Sequence, residues 1–393
     1  MNVPCFDPGM TSLARCYISS LIAAALSLCV PTNVRAQSHW MYVGTYTGPN
    51  SKGVYAFPFD TKTGKAGPGI LAAETESPSF IAIHPSRPWL YAGNEINNFK
   101  GKKVGSVTSY SVDAATGKLS NLNVQDSAGA GPAYVGVDPS GKVVMVANYG
   151  SGSVASYKIE KDGSLSAPVT IDQHKGSGVN KQRQEGPHAH SIHADPKNNF
   201  IFAADLGEDR LYAYRLNKTS GELSPAPTPW TALEPGAGPR HFDFTPKSTF
   251  AFIINELNST LNSYQYDSKG GVLTKIETVS TLPADFKGNS STADIHVHPS
   301  GKFVYGSNRG HDSIAVFSLD QKSGRLSLLE NVSTGGKTPR NFSIDPSGHF
   351  LVAANQESDN IVFFTIDQNS GKLTPTGDTL KVGKPVCIQF FKR

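Results

Sequence analysis

Two patterns of apolar and polar positions alternate from about residue 38 to the end of the chain. The first is a period-two apolar run that stops at a proline. It reads Phe80-Ile-Ala-Ile-His84-Pro85, Tyr134-Val-Gly-Val-Asp138-Pro139, Ser191-Ile-His-Ala-Asp195-Pro196, His241-Phe-Asp-Phe-Thr245-Pro246, Asp294-Ile-His-Val-His298-Pro299 and Asn341-Phe-Ser-Ile-Asp345-Pro346. Such short alternating runs, bounded by turn residues, predict strands rather than helices. The second pattern is a polar turn closed by glycine, with Gly64, Gly117, Gly163, Gly221, Gly271, Gly324 and Gly371 at corresponding places. Asp or Asn favours entry to a tight hairpin, and glycine supplies the positive φ that the hairpin needs.

The turn recurs seven times at intervals of roughly 50 residues, the length of one four-stranded propeller blade. The proline-ended strand recurs only six times, so one blade lacks its first strand. The missing strand is at the C-terminus, where Pro385-Val386-Cys387-Ile388-Gln389-Phe390 matches Pro132-Ala-Tyr-Val-Gly-Val and Pro339-Arg-Asn-Phe-Ser-Ile position by position. The prediction is an all-β, seven-bladed β-propeller spanning residues 38–393 as one domain. Its blades are four-stranded, and its ring is closed by the C-terminal strand pairing into the N-terminal blade. Closure removes the free sheet edges that would otherwise be exposed.

Antiparallel pairing puts the start of each first strand and the end of each second strand on one face of the disc, near its axis. The first-strand starts are Ser79, Ala133, His190, Arg240, Ala293, Arg340 and Val386, followed by Ser191, His241, Asp294 and Asn341. The second strands end in Asn94-Glu95, Asn148-Tyr149, Asp205-Leu206, Asn255-Glu256, Asn308-Arg309 and Asn355-Gln356. The Asn or Asp is expected to bond the backbone of the following loop. The residue after it varies in chemistry, as a ligand-facing position does. One mouth of the channel therefore collects Glu95, His190, Arg240, His241, Glu256, Asp294, Arg309, Arg340 and Gln356. Guanidinium groups there suit carboxylate or phosphate, and Glu or His suits the deprotonation of water.

Composition narrows the reading. The formal net charge is only +4 and no basic block carries interleaved aromatics, so nucleic acid is not an expected partner. Arg15, the apolar run Tyr17–Val30 and the small residues of Val34-Arg35-Ala36 read as an export signal over residues 1–36, cleaved near Ala36–Gln37. An uncleaved anchor is the alternative. Three of the four cysteines lie in that segment, which leaves Cys387 alone in the mature chain, with no disulfide framework. The mature protein is expected outside the cytoplasm, secreted or periplasmic, without a membrane anchor and as a monomer. His188, His190 and His193 lack a helical zinc spacing and no cysteine pair supports a structural zinc, so neither metal nor cofactor is expected.

The runs Pro239-Arg240-His241, Asn255-Glu256-Leu257-Asn258-Ser259-Thr260, Ala293-Asp294-Ile295-His296, Asn308-Arg309 and Pro339-Arg340 resemble the lactonase family of seven-bladed propellers. That family includes propeller-type 6-phosphogluconolactonases and the carboxy-muconate lactonizing enzymes. The resemblance implies catalytic roles for His190, Glu256 and Arg309, with His188 and His193 as alternatives to His190. It implies hydrolysis of a sugar lactone, with Glu256 or His190 as general base on water. Arg309 with Arg240 would stabilise the oxyanion and hold an anionic group. A lactonizing enzyme of the muconate type and a non-enzymatic binding propeller are the two competing readings.

Overall fold

A computed structural model describes residues 38–393. The segment read as an export signal lies outside these residues. The described chain forms seven antiparallel sheets, joined by short loops, with one turn of 3-10 helix at Gln356–Ser358. No helix among the described residues is long and apolar enough to cross a membrane.

Blade 1 is the closing blade. Its innermost strand is Pro385–Lys392, which pairs antiparallel with His39–Thr45; Gly53–Asp60 follows, and its outer edge pairs with two short strands, Lys65–Ala66 and Ile70–Glu74. The innermost strands of blades 2 to 7 are Pro78–Ile83, Pro132–Val137, Ala189–Ala194, Pro239–Phe244, Ser291–Val297 and Pro339–Ile344. Each of the seven touches the next, and Pro385–Lys392 touches both Pro339–Ile344 and Pro78–Ile83, so the circle is complete. The expected architecture and its closure are thus present.

Local chemistry explains both repeats. Where a first strand ends in Asp-Pro, the aspartate caps the turn that leads to the second strand. Asp138 Oδ1 accepts the amides of Lys142 and Val143 at 2.7 and 2.8 Å, and Asp345 does the same for His349 and Phe350. The glycine turns serve the next level, packing between blades. Gly163 of blade 3 has φ +91° and lies against the Trp89 ring of blade 2, while its carbonyl accepts the Tyr91 hydroxyl at 3.1 Å. Gly117 meets Trp40 and Tyr42 of blade 1 in the same way. Each such turn is both a hairpin and a latch on the preceding blade. Between the blades lie apolar side chains, among them Val143, Met145 and Ala147, all fully buried. Cys387 is also buried, accepting the Ile81 amide through sulfur, and burial raises its thiol to about 12.

Gly163→Ala tests the latch. A Cβ there would stand 2.5 Å from the Trp89 ring at a φ that alanine disfavours. The expected loss of stability is about 1–3 kcal/mol, read as a lower midpoint in chemical denaturation with an unchanged slope.

Candidate functional site

At the mouth, every innermost strand carries one irregularity in its pairing with the second strand. Pro239 pairs with Asn255 and His241 with Ile254, which leaves Arg240 without a partner in the ladder. The same skip falls at Ser79, Ala133, His190, Arg340 and Val386, and in blade 6 it covers Ala293 and Asp294. A bulge residue is released from the pleat and re-aimed. Here it is turned to the axis, where Ser79, Ala133, Arg240, Arg340 and Val386 line one small void with Glu95 and His241. The aligned starts found in the sequence are therefore bulge residues, a feature the alternation alone does not reveal.

Glu256 is the centre of the cluster. It is 4% exposed and meets three guanidinium groups: Arg240 Nε at 3.0 Å, Arg309 Nη2 at 2.9 Å and Arg183 Nη2 at 2.5 Å. Burial alone would raise its pKa, but Arg309, Arg240 and Arg183 together hold it well below the usual carboxylate range. Burial, then Arg340 and Arg309, lower Arg240 to about 9. Glu95 accepts the Tyr46 hydroxyl at 2.7 Å, and the Arg340 guanidinium stands 5.4 Å over the Tyr46 ring. Gln356 sits in the short helical turn, its Oε1 buried and without a partner.

The structure separates the three histidines. His188, on the rim, stacks on Tyr149 and uses both nitrogens, on the Tyr149 carbonyl and on Glu185. His193 lies lower in the shaft, between the carbonyls of Ala194 and Phe242. His190 is at the bulge, edge-on to Tyr149 and His241 with ring centroids 5.3 Å away, and its buried Nδ1 has no partner among the described residues. Burial, then Arg240, His241 and Arg340, hold His190 well below the ordinary imidazole value, so it is neutral.

Asp294 and His241, both expected to bind substrate, hold each other, His241 lining the mouth void and Asp294 standing behind it. His241 Nδ1 meets Asp294 Oδ1 at 2.7 Å, and Arg240 Nη1 meets His241 Nε2 at 3.2 Å. Burial and Arg240 lower His241 to about 4, so it is neutral. It donates from Nδ1 to the aspartate and offers the Nε2 lone pair to Arg240, as the guanidinium requires. The other oxygen, Asp294 Oδ2, accepts from Asn341 at 2.6 Å and meets His296 Nε2 at 3.2 Å. These groups brace Arg240 from below. Farther along the shaft is a cavity of about 330 Å³ lined by Tyr134, His193, Asp243 and His296 among others.

Two further differences concern loops. The Asn or Asp ending a second strand in several blades bonds the loop arriving from the preceding blade, Asn148 Nδ2 donating to the Ser127 carbonyl and Asn355 Nδ2 to that of Thr334, whereas Asp205 Oδ1 accepts the Gly207 amide of the following loop, as expected, together with that of His188. Arg183, absent from the expected site, comes from the long loop before His188. The signal for it was the length of that loop, whose contents the repeat does not predict. Among the described residues, His174, Asp205 and Glu208 place donor atoms within 4.8 Å of one another, the spacing of a metal site. Yet both nitrogens of His174 are hydrogen-bonded and the Arg210 cation rests on Glu208, so the group reads as an anchor for that loop.

His296 gives a pH test of the brace. Burial would lower it, but Asp294 and Asp243 raise it to about 9, above its ordinary 6.5. A raised folded pKa contributes stability that is present below 6.5 and lost as pH rises through about 9. The difference in Tm between wild type and His296→Gln is therefore expected to be larger at about pH 6 than at about pH 10, measured by thermal denaturation.

The family described as "Lactonase, 7-bladed beta-propeller" matches residues 40–390. The chain is 41% identical over 349 residues to a 6-phosphogluconolactonase of Bacillus subtilis, covering 89% of this chain and 97% of that one. A solved structure described as the periplasmic gluconolactonase of Pseudomonas aeruginosa superposes with a TM-score of 0.84 at 32% identity, over 90% of this chain and 98% of that one. A putative 6-phosphogluconolactonase from Bacteroides fragilis gives 0.84 at 33% identity, over 91% and 99%. With a fold, a mouth and relatives in agreement over nearly its whole described length, the chain belongs to the seven-bladed propeller lactonases.

Proposed function

We propose that the protein is a lactone hydrolase of the 6-phosphogluconolactonase type and that His190 is its general base. The observation that carries the assignment is the state of the two candidates. Glu256 has its carboxylate engaged by three cations and is a very weak base. His190 is a neutral imidazole with an unpartnered nitrogen at the same mouth.

Water attacks the lactone carbonyl as His190 takes its proton, and the carbonyl oxygen becomes an oxyanion. Arg309 and Arg240, fixed in place by Glu256, stabilise that charge, the term that generally dominates acyl transfer. The tetrahedral species collapses with cleavage of the bond to the ring oxygen, which receives the proton back from the imidazolium. The products are a hydroxyl and a carboxylic acid, which ionises. Glu256 acts as a positioning residue that keeps two guanidinium groups in register, and the neutral His241 does the same for Arg240.

The test is acid release from glucono-δ-lactone and 6-phosphogluconolactone against the spontaneous rate, with wild type and His190→Gln. The variant is expected to lose about 10²- to 10⁴-fold in kcat with its fold intact. Because His190 titrates below the ordinary imidazole range, the acid limb of wild-type kcat/KM is expected below pH 6.5. A wild type no faster than the spontaneous reaction favours a binding propeller instead.

We further infer export through residues 1–36. The sequence of that segment supports it, as does the description of the Pseudomonas aeruginosa relative as periplasmic. The mature protein recovered from outside the cytoplasm is expected to begin at Gln37, which intact-mass measurement checks.

A further inference from the structure

The connection between Gln173 and Ala189 is fifteen residues long, against three to ten between the other blades. It is pinned at both ends by buried polar side chains. His174 is bonded to Asp205 at 2.6 Å and to Tyr214 at 2.9 Å, and it stacks on Tyr212. Gln184 donates to the Leu206 carbonyl at 2.9 Å and to Asp209 Oδ1 at 2.8 Å, while its own oxygen accepts the Asn180 amide. Asp209 also accepts the amides of Gly236 and Gly238, just before Arg240. The loop and the strand carrying Arg240 are thus fastened to one carboxylate. Between the pins, Asn180 Oδ1 accepts the amides of Gln182 and Arg183, forming the turn that presents Arg183 to the mouth.

Arg183 differs from the other cations on Glu256. Its side chain is 42% exposed, against 2% for Arg240 and 13% for Arg309. It is also the one of the three that a loop supplies. Among the described residues, the guanidinium groups of Arg183, Arg240, Arg309 and Arg340 share Glu256 and Glu95 at the mouth, with Asp294 reaching Arg240 through His241 and Glu185 on the rim. Arg340 has no hydrogen-bond acceptor among the described residues, and the buried Nε of Arg309 has none. The mouth has donors in excess, and its outermost cation, Arg183, is the most exposed of the three on Glu256, donating also to the Tyr149 hydroxyl at 3.1 Å.

We propose that Arg183 is a specificity-determining residue that exchanges Glu256 for an oxyanion group on the substrate remote from the lactone carbonyl. Lactones bearing a phosphate monoester or a second carboxylate are thereby selected over neutral ones. This rests on the lactonase reading and adds to it the residue that reads the substrate's charge. A guanidinium suits the task because it binds either oxyanion through two parallel hydrogen bonds.

The experiment compares kcat/KM on 6-phosphogluconolactone, a glucarate lactone and glucono-δ-lactone for wild type, Arg183→Gln and Arg183→Lys. Thermal shifts with 6-phosphogluconate and with gluconate run in parallel. The glutamine variant is expected to lower the charged-to-neutral ratio of kcat/KM by about tenfold or more, mainly through KM, and lysine to restore part of it. A loss confined to the phosphorylated or to the glucarate substrate identifies which oxyanion Arg183 reads. Equal losses on all three lactones overturn the proposal while leaving the lactonase reading intact. If wild type turns over no lactone, that reading fails, and the thermal shifts decide for Arg183. Stabilisation by 6-phosphogluconate that Arg183→Gln lacks upholds the proposal, and stabilisation equal in both proteins, or absent from both, overturns it.

Discussion

The chemistry at the mouth depends on one surplus residue at the start of each innermost strand. A regular antiparallel ladder sends successive side chains to opposite faces of the blade, into the contacts with its two neighbours. None of those directions is the axis. The bulge at Arg240, and its counterparts at His190 and Arg340, breaks the alternation for a single residue and turns it inward. Ring closure then makes the seven bulges converge. The frame decides that the strand starts converge on one mouth, and the sequence of each blade decides what they carry there.

The charge gathered at the mouth, from Arg240 and Arg340 on bulges and from Arg309 and Arg183 beside them, is mostly positive, and that needs explaining. Guanidinium groups packed together repel, and removing them from water carries a desolvation penalty of several kcal/mol per ion unless partners are fixed in place. Glu256 supplies the partner from the end of the neighbouring second strand. Asp294 supplies a second one indirectly, through His241. The neutral imidazole bridges the two charges because its donor nitrogen faces the acid and its acceptor nitrogen faces Arg240. Arg240 is thus held at Nε by Glu256 and at Nη1 by His241 and the Ala293 carbonyl, which fixes the plane of its guanidinium. A site so arranged needs little reorganisation when negative charge develops in it, which is the condition for electrostatic catalysis.

The repeated parts of this fold were legible because each repeat has a local physical cause. The glycine of each turn is required by positive φ and again by the ring of the preceding blade, so it recurs where the hairpin recurs. The aspartate before proline recurs because a turn amide needs an acceptor. Closure followed from counting one strand type against the other. The site was legible only as a set of positions sharing a face. The sequence put Asp294 on that face without showing that His241, Asn341 and His296 occupy its oxygens, and the bulge in blade 6 spans two residues where the others span one. It also left His188 and His190 equivalent, since two residues apart on a regular strand means the same side. The irregularity between Ala189 and Ser191 separates them, placing His190 at the bulge while His188 stacks on Tyr149.

Arg183 was illegible for the opposite reason: it belongs to no repeat. Its position is set by His174, Gln184 and Asp209, which are hydrogen-bonded across two blades and two inter-blade loops, and no periodicity relates them. This division has a consequence for how such a site divides its labour. Residues on the bulges are held by the pairing of whole strands, so altering their placement means altering a blade. A residue on a pinned loop is held by a few polar bonds, so its reach can change with the loop while the ring stays intact. On the proposed mechanism the chemical step belongs to the frame, through His190, Arg240, Glu256 and Arg309, and the proposed recognition of the rest of the substrate belongs to the segment that the frame leaves free to vary.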